Sequence, residues 1–432
     1  MRLGAMGLSH AVPCPRGWTK RRLRFLTRIN KPAKINSPPE TEVSFVPMAA
    51  IGENGGIQLD QIKPLDEIGD SYTPFVDGDV LVAKITPCFE NGKGALAEGL
   101  KSGVAFGTTE LHVVQAGQQI DRRFLFYLSI SELFRELGEG AMYGAGGQKR
   151  VPELFIKDFQ APVPPLYTQE KIARFLDRKT AEIDTLIEKK GRLLDLLAEK
   201  RTALITRAVT KGMNPDAPMK DSGIEWVGEI PAHWDTRRIK FLLKEPLKYG
   251  ANKSAEFDDP DWPRFIRITD LSSDGRLRRD TFRSIPPAEA SNYLLEDGDI
   301  LLARSGATVG KSFQYRSKWG RAAFAGYLIR ARPNKRLNSS YFQLFFNSNP
   351  YWEWIKNIFI QSTIQNVSAE KYGSIMMPLP PIAEQHEIVD HLGAKNEQLD
   401  IAVITIQKAM RALEEYRSAL ITNAVTGQIK VV

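Results

Sequence analysis

Between Gln169 and about Val209 the chain has no proline, and its apolar residues recur three and four positions apart. Leu176, Thr180, Ile183, Ile187, Lys190, Leu194, Leu197, Arg201, Leu204 and Ala208 fall on one face of such a helix. A second series follows the same rule through Leu392, Asn396, Leu399, Val403, Ile406, Met410, Leu413, Arg417, Leu420 and Ala424. A seven-residue repeat held over about four heptads is coiled-coil patterning, and each helix would run on the order of 60 Å. The flanks carry Asp177, Arg178, Lys179 and Glu182 in one series, and Lys395, Glu397, Gln398 and Asp400 in the other. One narrow apolar seam remains on each, and two such seams in one chain most simply bury each other; the alternative is that each helix buries against its own domain. Pro164-Pro165 stops whatever comes before, with Thr168 as N-cap and Glu170 in the first turn.

The two series are copies. RTALITRAVT, starting at Arg201, returns as RSALITNAVT 216 positions on, starting at Arg417. The offset holds without a gap back through Gln169, Ile172 and Leu176, which face Gln385, Ile388 and Leu392, and it pairs Trp18 with Trp234. A period of this size is a domain with its attachment element and not a solenoid repeat. If a pseudo-twofold axis relates the halves, the helices run antiparallel, and Met213 to Trp234, rich in proline and glycine, is a connection long enough to return the chain.

The parts between the helices alternate at shorter period and predict mixed α/β domains. Strands are expected at Val43 to Met48, Val80 to Ile85 and Glu110 to Val114, with a helix from Phe124 to Leu137. In the second half the strands are Phe265 to Ile268, Ile300 to Ala303 and Tyr327 to Ala331, with a helix from Tyr341 to Ile355. DGDVLVAK at Asp77 matches DGDILLAR at Asp297, an offset of 220, so small insertions separate the globular parts while the helices are copied closely.

A formal net charge of +8 and a pI near 9.2 favour an anionic partner. Cys14 and Cys88 sit in unrelated contexts, which leaves neither a disulfide framework nor a Cys-ligated zinc site and points to a cytoplasmic chain. Residues 1–17 read as a disordered leader, with Met6 an alternative start, and no stretch approaches the length of a membrane span.

Catalytic chemistry finds no footing. SGATVGKS at Ser305 puts three residues between Gly306 and Gly310 where a phosphate-binding loop needs four. No cofactor turn or methyltransferase motif stands out, and His10, His112, His233, His386 and His391 form neither a metal-ligand spacing nor a base–nucleophile pair. Binding chemistry remains. Tyr143 to Val151 and Phe359 to Val367 occupy the same place upstream of the last strand, and Tyr143, Gln148, Lys149, Arg150, Gln365 and Asn366 are the candidates there. Gln and Asn can pair bidentately with adenine, and Arg or Lys with guanine. Lys84 and Arg304 end matching strands, with Lys93 and Lys311 in the turns after them, positions that suit phosphate contacts. The competing account of each is a solvated polar turn.

Two diverged modules, each followed by a helix that opens Pro-Pro-Leu/Ile-x-x-Gln and closes Ala-Leu-Ile-Thr-x-Ala-Val-Thr, resemble the specificity subunit of type I restriction-modification systems. Gly78-Asp79, Gly298-Asp299, Gly223 to Gly228, Ile230-Pro231 and Trp234 add to the resemblance, which covers about residues 18 to 432. It implies target recognition domains at 18–164 and 234–380, conserved spacer helices at 165–212 and 381–432, and a linker at 213–233. The expected fold is thus α/β, two mixed α/β target recognition domains joined by an antiparallel coiled coil with pseudo-twofold symmetry. Its seam is Leu176, Ile183, Ile187, Leu194, Leu197, Leu204, Leu392, Leu399, Val403, Met410, Leu413 and Leu420. The resemblance also implies double-stranded DNA as ligand, two methylation subunits and restriction subunits as partners, and no active site in this chain. S-adenosylmethionine, ATP and Mg would belong to those partners. The rival reading is a non-catalytic coiled-coil adaptor that binds nucleic acid without a methyltransferase.

Overall fold

The computed structural model describes residues 14–31, 35, 37–53, 55–69, 71–145, 147–271, 277–278, 280–360 and 366–431. Most of the expected leader, residues 1–13, and Gln365 among the candidate site residues lie outside them. Cys14 to Gly17 are described, and the Trp18 amide donates to the Pro15 carbonyl at 3.1 Å in a turn.

The helices in chain order are α1 (Arg122–Ser129), α2 (Glu132–Ala141), α3 (Glu153–Asp158), α4 (Leu166–Lys211), α5 (Pro287–Ala290), α6 (Ser339–Phe346), α7 (Asn349–Ile360), α8 (Ala369–Ser374) and α9 (Ile382–Val425). The two long helices are where the periodicity put them, but α4 starts three residues before Gln169. Proline suits a helix start because its missing N–H would be unpaired there anyway. The Pro165 carbonyl takes the amides of Thr168 and Gln169, so Thr168 is inside the helix and not its cap. The single helix expected from Phe124 to Leu137 is two, because the Ser131 hydroxyl caps the Phe134 amide and donates to the Leu128 carbonyl. Ser348 makes the corresponding break between α6 and α7, donating to the Phe345 carbonyl at 2.6 Å.

The chain forms two compact units, residues 1–190 with 407–432, and residues 191–406. In unit 1, Thr27–Ile29, Leu111–Ala116, Val80–Ala83 and Gly94–Leu96 make an antiparallel sheet in that order. A second sheet orders Ile62–Pro64, Glu42–Val46, Val104–Gly107 and Thr73–Val76, with Glu42–Val46 and Val104–Gly107 parallel. Thr19–Arg22 pairs with Gln160–Val163, just before α4. Unit 2 has the counterpart antiparallel sheet, Lys248–Tyr249, Leu328–Ala331, Ile300–Ala303 and Ser312–Gln314. It also has a parallel pair, Arg264–Ile266 with Ala322–Phe324, and the ribbon Asp235–Arg238 with Met376–Leu379 before α9. In the linker, Met219–Asp221 pairs with Glu229–Pro231.

The shared Gly-Asp motif is a turn brace. Gly78 and Gly298 hold φ of +94° and +86°, open to glycine at little cost, and the next aspartate accepts the Val76 or Glu296 amide at 2.9 and 2.8 Å. Buried Asp299 also holds Arg332 through two bonds of 2.7 and 2.8 Å. Asp79 has the neutral Gln115 instead, and burial pushes its carboxyl up.

Each core contains the start of one long helix and the end of the other. In unit 1, Leu420, Ile421, Ala424 and Val425 of α9 pack with Ile172, Leu176 and Ile183 of α4 and with Phe124, Leu128 and Phe134. In unit 2, Ile205, Ala208 and Val209 of α4 pack with Ile388 and Leu392 of α9 and with Trp234, Tyr341 and Phe345. The helix segments therefore run side by side in opposite directions within each unit. Ion pairs repeat at the 216-residue offset, Arg417 with Asp184 in unit 1 and Arg201 with Asp400 in unit 2. The threonine of each Ala-Leu-Ile-Thr segment caps a helix of the domain it meets: Thr422 Oγ1 accepts the Glu132 amide at 3.0 Å, and Thr206 Oγ1 the Asn349 amide at 2.9 Å. That contact explains why the segment is copied so closely.

The seam is driest near the sheets. Leu176, Ile183, Leu392, Leu399 and Leu420 are buried, whereas Ile187, Leu194, Leu197, Leu204, Val403, Met410 and Leu413 are half-buried. A further apolar set is exposed, with Leu186 in unit 1 and Leu193, Leu196, Ile401 and Ile404 in unit 2, so the helix surface is less uniformly charged than the flanks suggested.

Candidate nucleic-acid interface

Strand Val80–Ala83 runs out at Lys84, whose amide donates to the Glu110 carbonyl at 3.0 Å and whose carbonyl accepts the Val151 amide at 2.8 Å. Three chain segments are thereby pinned at one end of the sheet. Burial holds the Lys84 ammonium below its ordinary range, against the opposing pull of the Glu110 carboxylate beside it. Arg150 arrives on the facing loop and closes on Glu110 in bidentate fashion, Nη2 to Oε1 at 2.7 Å and Nε to Oε2 at 3.0 Å. That hydrogen-bonded pair keeps the Glu110 carboxyl below the usual carboxylate range and the guanidinium above its own.

Tyr143 and Arg150 exchange backbone hydrogen bonds of 3.1 and 2.8 Å, so the segment between them is a projecting loop. Gly144 (φ +130°) and Gly147 (φ +77°) turn it, and a Cβ on Gly144 would meet the Gln148 carbonyl oxygen at 2.8 Å. Tyr143, Gln148 and Lys149 are exposed on this loop. The structure thus brings Lys84, Tyr143, Gln148, Lys149 and Arg150 to one end of unit 1. Lys93 is held elsewhere, its ammonium on the Met48 carbonyl at 3.3 Å.

His112 lies behind this cluster. It is buried, with Nε2 3.0 Å from the Val151 carbonyl and Nδ1 2.9 Å from the Asn30 amide nitrogen, a pattern that a neutral ring with its proton on Nε2 satisfies at both ends. Burial holds its pKa below the ordinary value, and Lys84 adds to that while Glu153 and Glu110 oppose it. As pH falls through about 6.5 the unfolded chain takes the proton first, so stability is full above that range and declines toward the lower folded value. The urea midpoint for unit 1 is therefore expected to fall between pH 7.5 and 5.5, and to fall less in His112→Gln; equal declines in both proteins would contradict the assignment.

In unit 2 the matching strand ends at Arg304. Its amide donates to the Tyr327 carbonyl at 3.1 Å and its carbonyl accepts the Val367 amide at 2.8 Å, the same lattice that fixes Lys84. The side chain lies over the Tyr249 ring, with Cζ 4.7 Å from the centroid, and Nε is 3.5 Å from Oδ1 of Asn366. Tyr249 is itself anchored, its hydroxyl accepting the Ala369 amide at 2.9 Å. Asn366 sits opposite Ser305 in a backbone bridge, and Lys311 is exposed in the turn after the strand. The near-miss loop from Ser305 makes one 3-10 turn (Gly306–Thr308) and then enters a strand (Ser312–Gln314), so no helix N-terminus is presented to a phosphate. Gly310 is a packing residue, its carbonyl accepting from the Tyr351 hydroxyl at 2.6 Å.

Three residues at these ends escaped the sequence reading: Glu110, Tyr249 and Tyr327. Glu110 and Tyr327 stand at the same place, each just before a central strand, and the offset between Leu111 and Leu328 would have paired them. Among the described residues no helix is long and apolar enough to cross a membrane.

The family model for the type I restriction modification DNA specificity domain matches residues 15–194 and 233–409. The EcoEI specificity subunit of Escherichia coli is 26% identical over 469 aligned positions, which cover 87% of this chain and 77% of that one. The EcoAI specificity subunit of Escherichia coli is 42% identical over 160 residues, 37% of this chain but only 27% of the relative. Among solved structures, a chain from work on complex assembly and conformational transition of the type I R-M system superposes with a TM-score of 0.70 at 17% identity, covering 96% of this chain and 99% of its own. The HsdS subunit from Thermoanaerobacter tengcongensis gives 0.52 at 17% identity, covering 96% and 98%. At that identity these two speak for the fold.

Proposed function

Because the chain belongs to the type I restriction-modification DNA specificity family, we propose that it is the DNA sequence-recognition subunit of such a complex, reading an asymmetric split target with its two units. The observation that carries this reading is a contrast within the chain. The helix ends, the Gln169 and Gln385 sites and the Gly-Asp turns repeat, while the strand ends that could meet DNA differ: Lys84, Glu110 and Arg150 in one unit, Arg304, Tyr327 and Asn366 in the other. Repeated parts suit a common framework and common partner subunits; different ends suit different half-sites.

The chain itself is non-catalytic in this reading. Two methylation subunits bring S-adenosylmethionine chemistry, and restriction subunits bring the chemistry that needs ATP and Mg. Exposed Leu193, Leu196, Ile401 and Ile404 supply apolar surface of the kind that partner subunits cover. In this reading the complex works in the cytoplasm.

Sequencing of methylated adenines in DNA exposed to the chain assembled with its methylation subunits tests the reading. The expected result is a split motif with unlike halves and a fixed gap; a continuous or palindromic motif overturns it. Stable co-purification of a methyltransferase chain is required by this reading and not by the adaptor alternative.

A further inference from the structure

Arg304 is built unlike a phosphate contact. A phosphate-steering cation serves well on a solvated side chain, as Lys311 is placed. Arg304 is half-buried, its backbone is bonded on both sides, its guanidinium is laid over Tyr249, and its Nε is directed at Asn366. Among the described residues no carboxylate pairs with it, and neither Nη has a protein partner. What remains is a planar fork with two donors, fixed in direction before any ligand arrives. The matching end of unit 1 is closed, because Glu110 already occupies the fork of Arg150.

We propose that Arg304 reads a guanine in the half-site of unit 2, donating from its free guanidinium edge to O6 and N7 in the major groove, with Tyr249 and Asn366 as positioning residues. The proposal rests on the DNA-reading function above. Guanine O6 and N7 match a rigid two-donor fork, and a good bidentate pair of this kind is worth about 1–3 kcal/mol of discrimination, roughly a factor of five to a hundred and fifty. The order of the sheet explains how the site forms: Tyr249 and Leu302 flank Ile329, so a single strand, Leu328–Ala331, separates the tyrosine's strand from the one that ends in Arg304.

The test uses the full chain assembled with its methylation subunits and reads methylated adenines genome-wide for the wild type, Arg304→Lys, Asn366→Ala and Lys311→Ala. Arg304→Lys is expected to relax one fixed G·C pair, tenfold or more, in one half-site, with the other half-site and the gap unchanged. Asn366→Ala should relax that same pair more weakly, an outcome that a general loss of folding would not produce. Lys311→Ala should weaken methylation of all sites alike and lower the salt dependence of binding. The proposal is overturned if Arg304→Lys keeps every base of the motif, or if it weakens all sites alike as a phosphate contact does. It is also overturned if the wild-type motif has no fixed G·C pair in either half-site. Should Arg304→Lys fail to assemble, Asn366→Ala decides: relaxation confined to one G·C pair supports the proposal, and an unaltered or uniformly weakened motif overturns it. A wild-type complex that yields no split motif at all defeats the underlying function instead.

Discussion

Ile421→Ala is expected to destabilise unit 1, although most of that unit is built from residues up to Lys190, and to leave unit 2 intact. Ile421 is 1% exposed and belongs to the core of Phe124, Leu128, Phe134, Ile172 and Leu176. Truncating a buried isoleucine costs about 2–5 kcal/mol through lost transfer energy and the cavity left behind. Against a domain stability of about 5–15 kcal/mol, that is a large share. Its copy, Ile205, is 4% exposed in the core of unit 2, so Ile205→Ala should do the converse. A single melting temperature is a poor readout for a chain of two units. Hydrogen exchange on the full chain separates them: peptides of α1 and α2 should exchange faster in Ile421→Ala, and peptides of α6 and α7 in Ile205→Ala. If instead Ile421→Ala loosens α6 and α7, or Ile205→Ala loosens α1 and α2, the crossed assignment of the helix ends is wrong.

How much of this was legible beforehand depended on the range of the interactions. The long helices were, because a seven-residue pattern and an unbroken 216-residue offset are local properties of sequence. The break at Ser131 was not, since a serine in an apolar periodic stretch fits a helix interior or a cap, and packing of Phe134 decides between them. At the candidate interface, Lys84 and Arg304 could be found by matching strands, and the loop from Tyr143 to Arg150 by its position. Their partners could not. Glu110 reaches Arg150 across 40 residues of sequence, and Tyr249 meets Arg304 across the sheet from a strand of only two residues, Lys248–Tyr249. Lys93 shows the reverse: it sits in the expected turn, but a backbone carbonyl holds its side chain away from the cluster around Lys84.

Gln385→Met should cost unit 2 about 1–3 kcal/mol, although it replaces a side chain by one of similar length. Gln385 is fully buried. Its Nε2 donates to the carbonyls of Arg336 and Pro380 at 3.0 and 2.9 Å, and its Oε1 accepts the Asn338 amide at 2.8 Å. The one side chain thus ties the Pro-Pro turn before α9 to the loop that caps α6. Gln169 repeats the arrangement in unit 1, with the carbonyls of Gln119 and Pro164 at 3.2 and 2.8 Å and the Asp121 amide at 2.8 Å. Methionine would fill the space and pair none of the three backbone groups; the bond to the Pro380 carbonyl is buried and costs about 1–3 kcal/mol when left unpaired, while the Arg336 and Asn338 groups are partly open to water and add less. Urea denaturation of the full chain, with hydrogen exchange assigning the loss to peptides around Asn338 and the start of α9, measures the effect. A change below about 0.5 kcal/mol, the range of an ordinary surface substitution, would falsify the clamp. The same two atoms explain why glutamine stands at this position in both copies. Glutamate would set a second oxygen against two carbonyls, and asparagine is one methylene too short to span them, so only a side chain with an amide at this reach can join each reading domain to its helix.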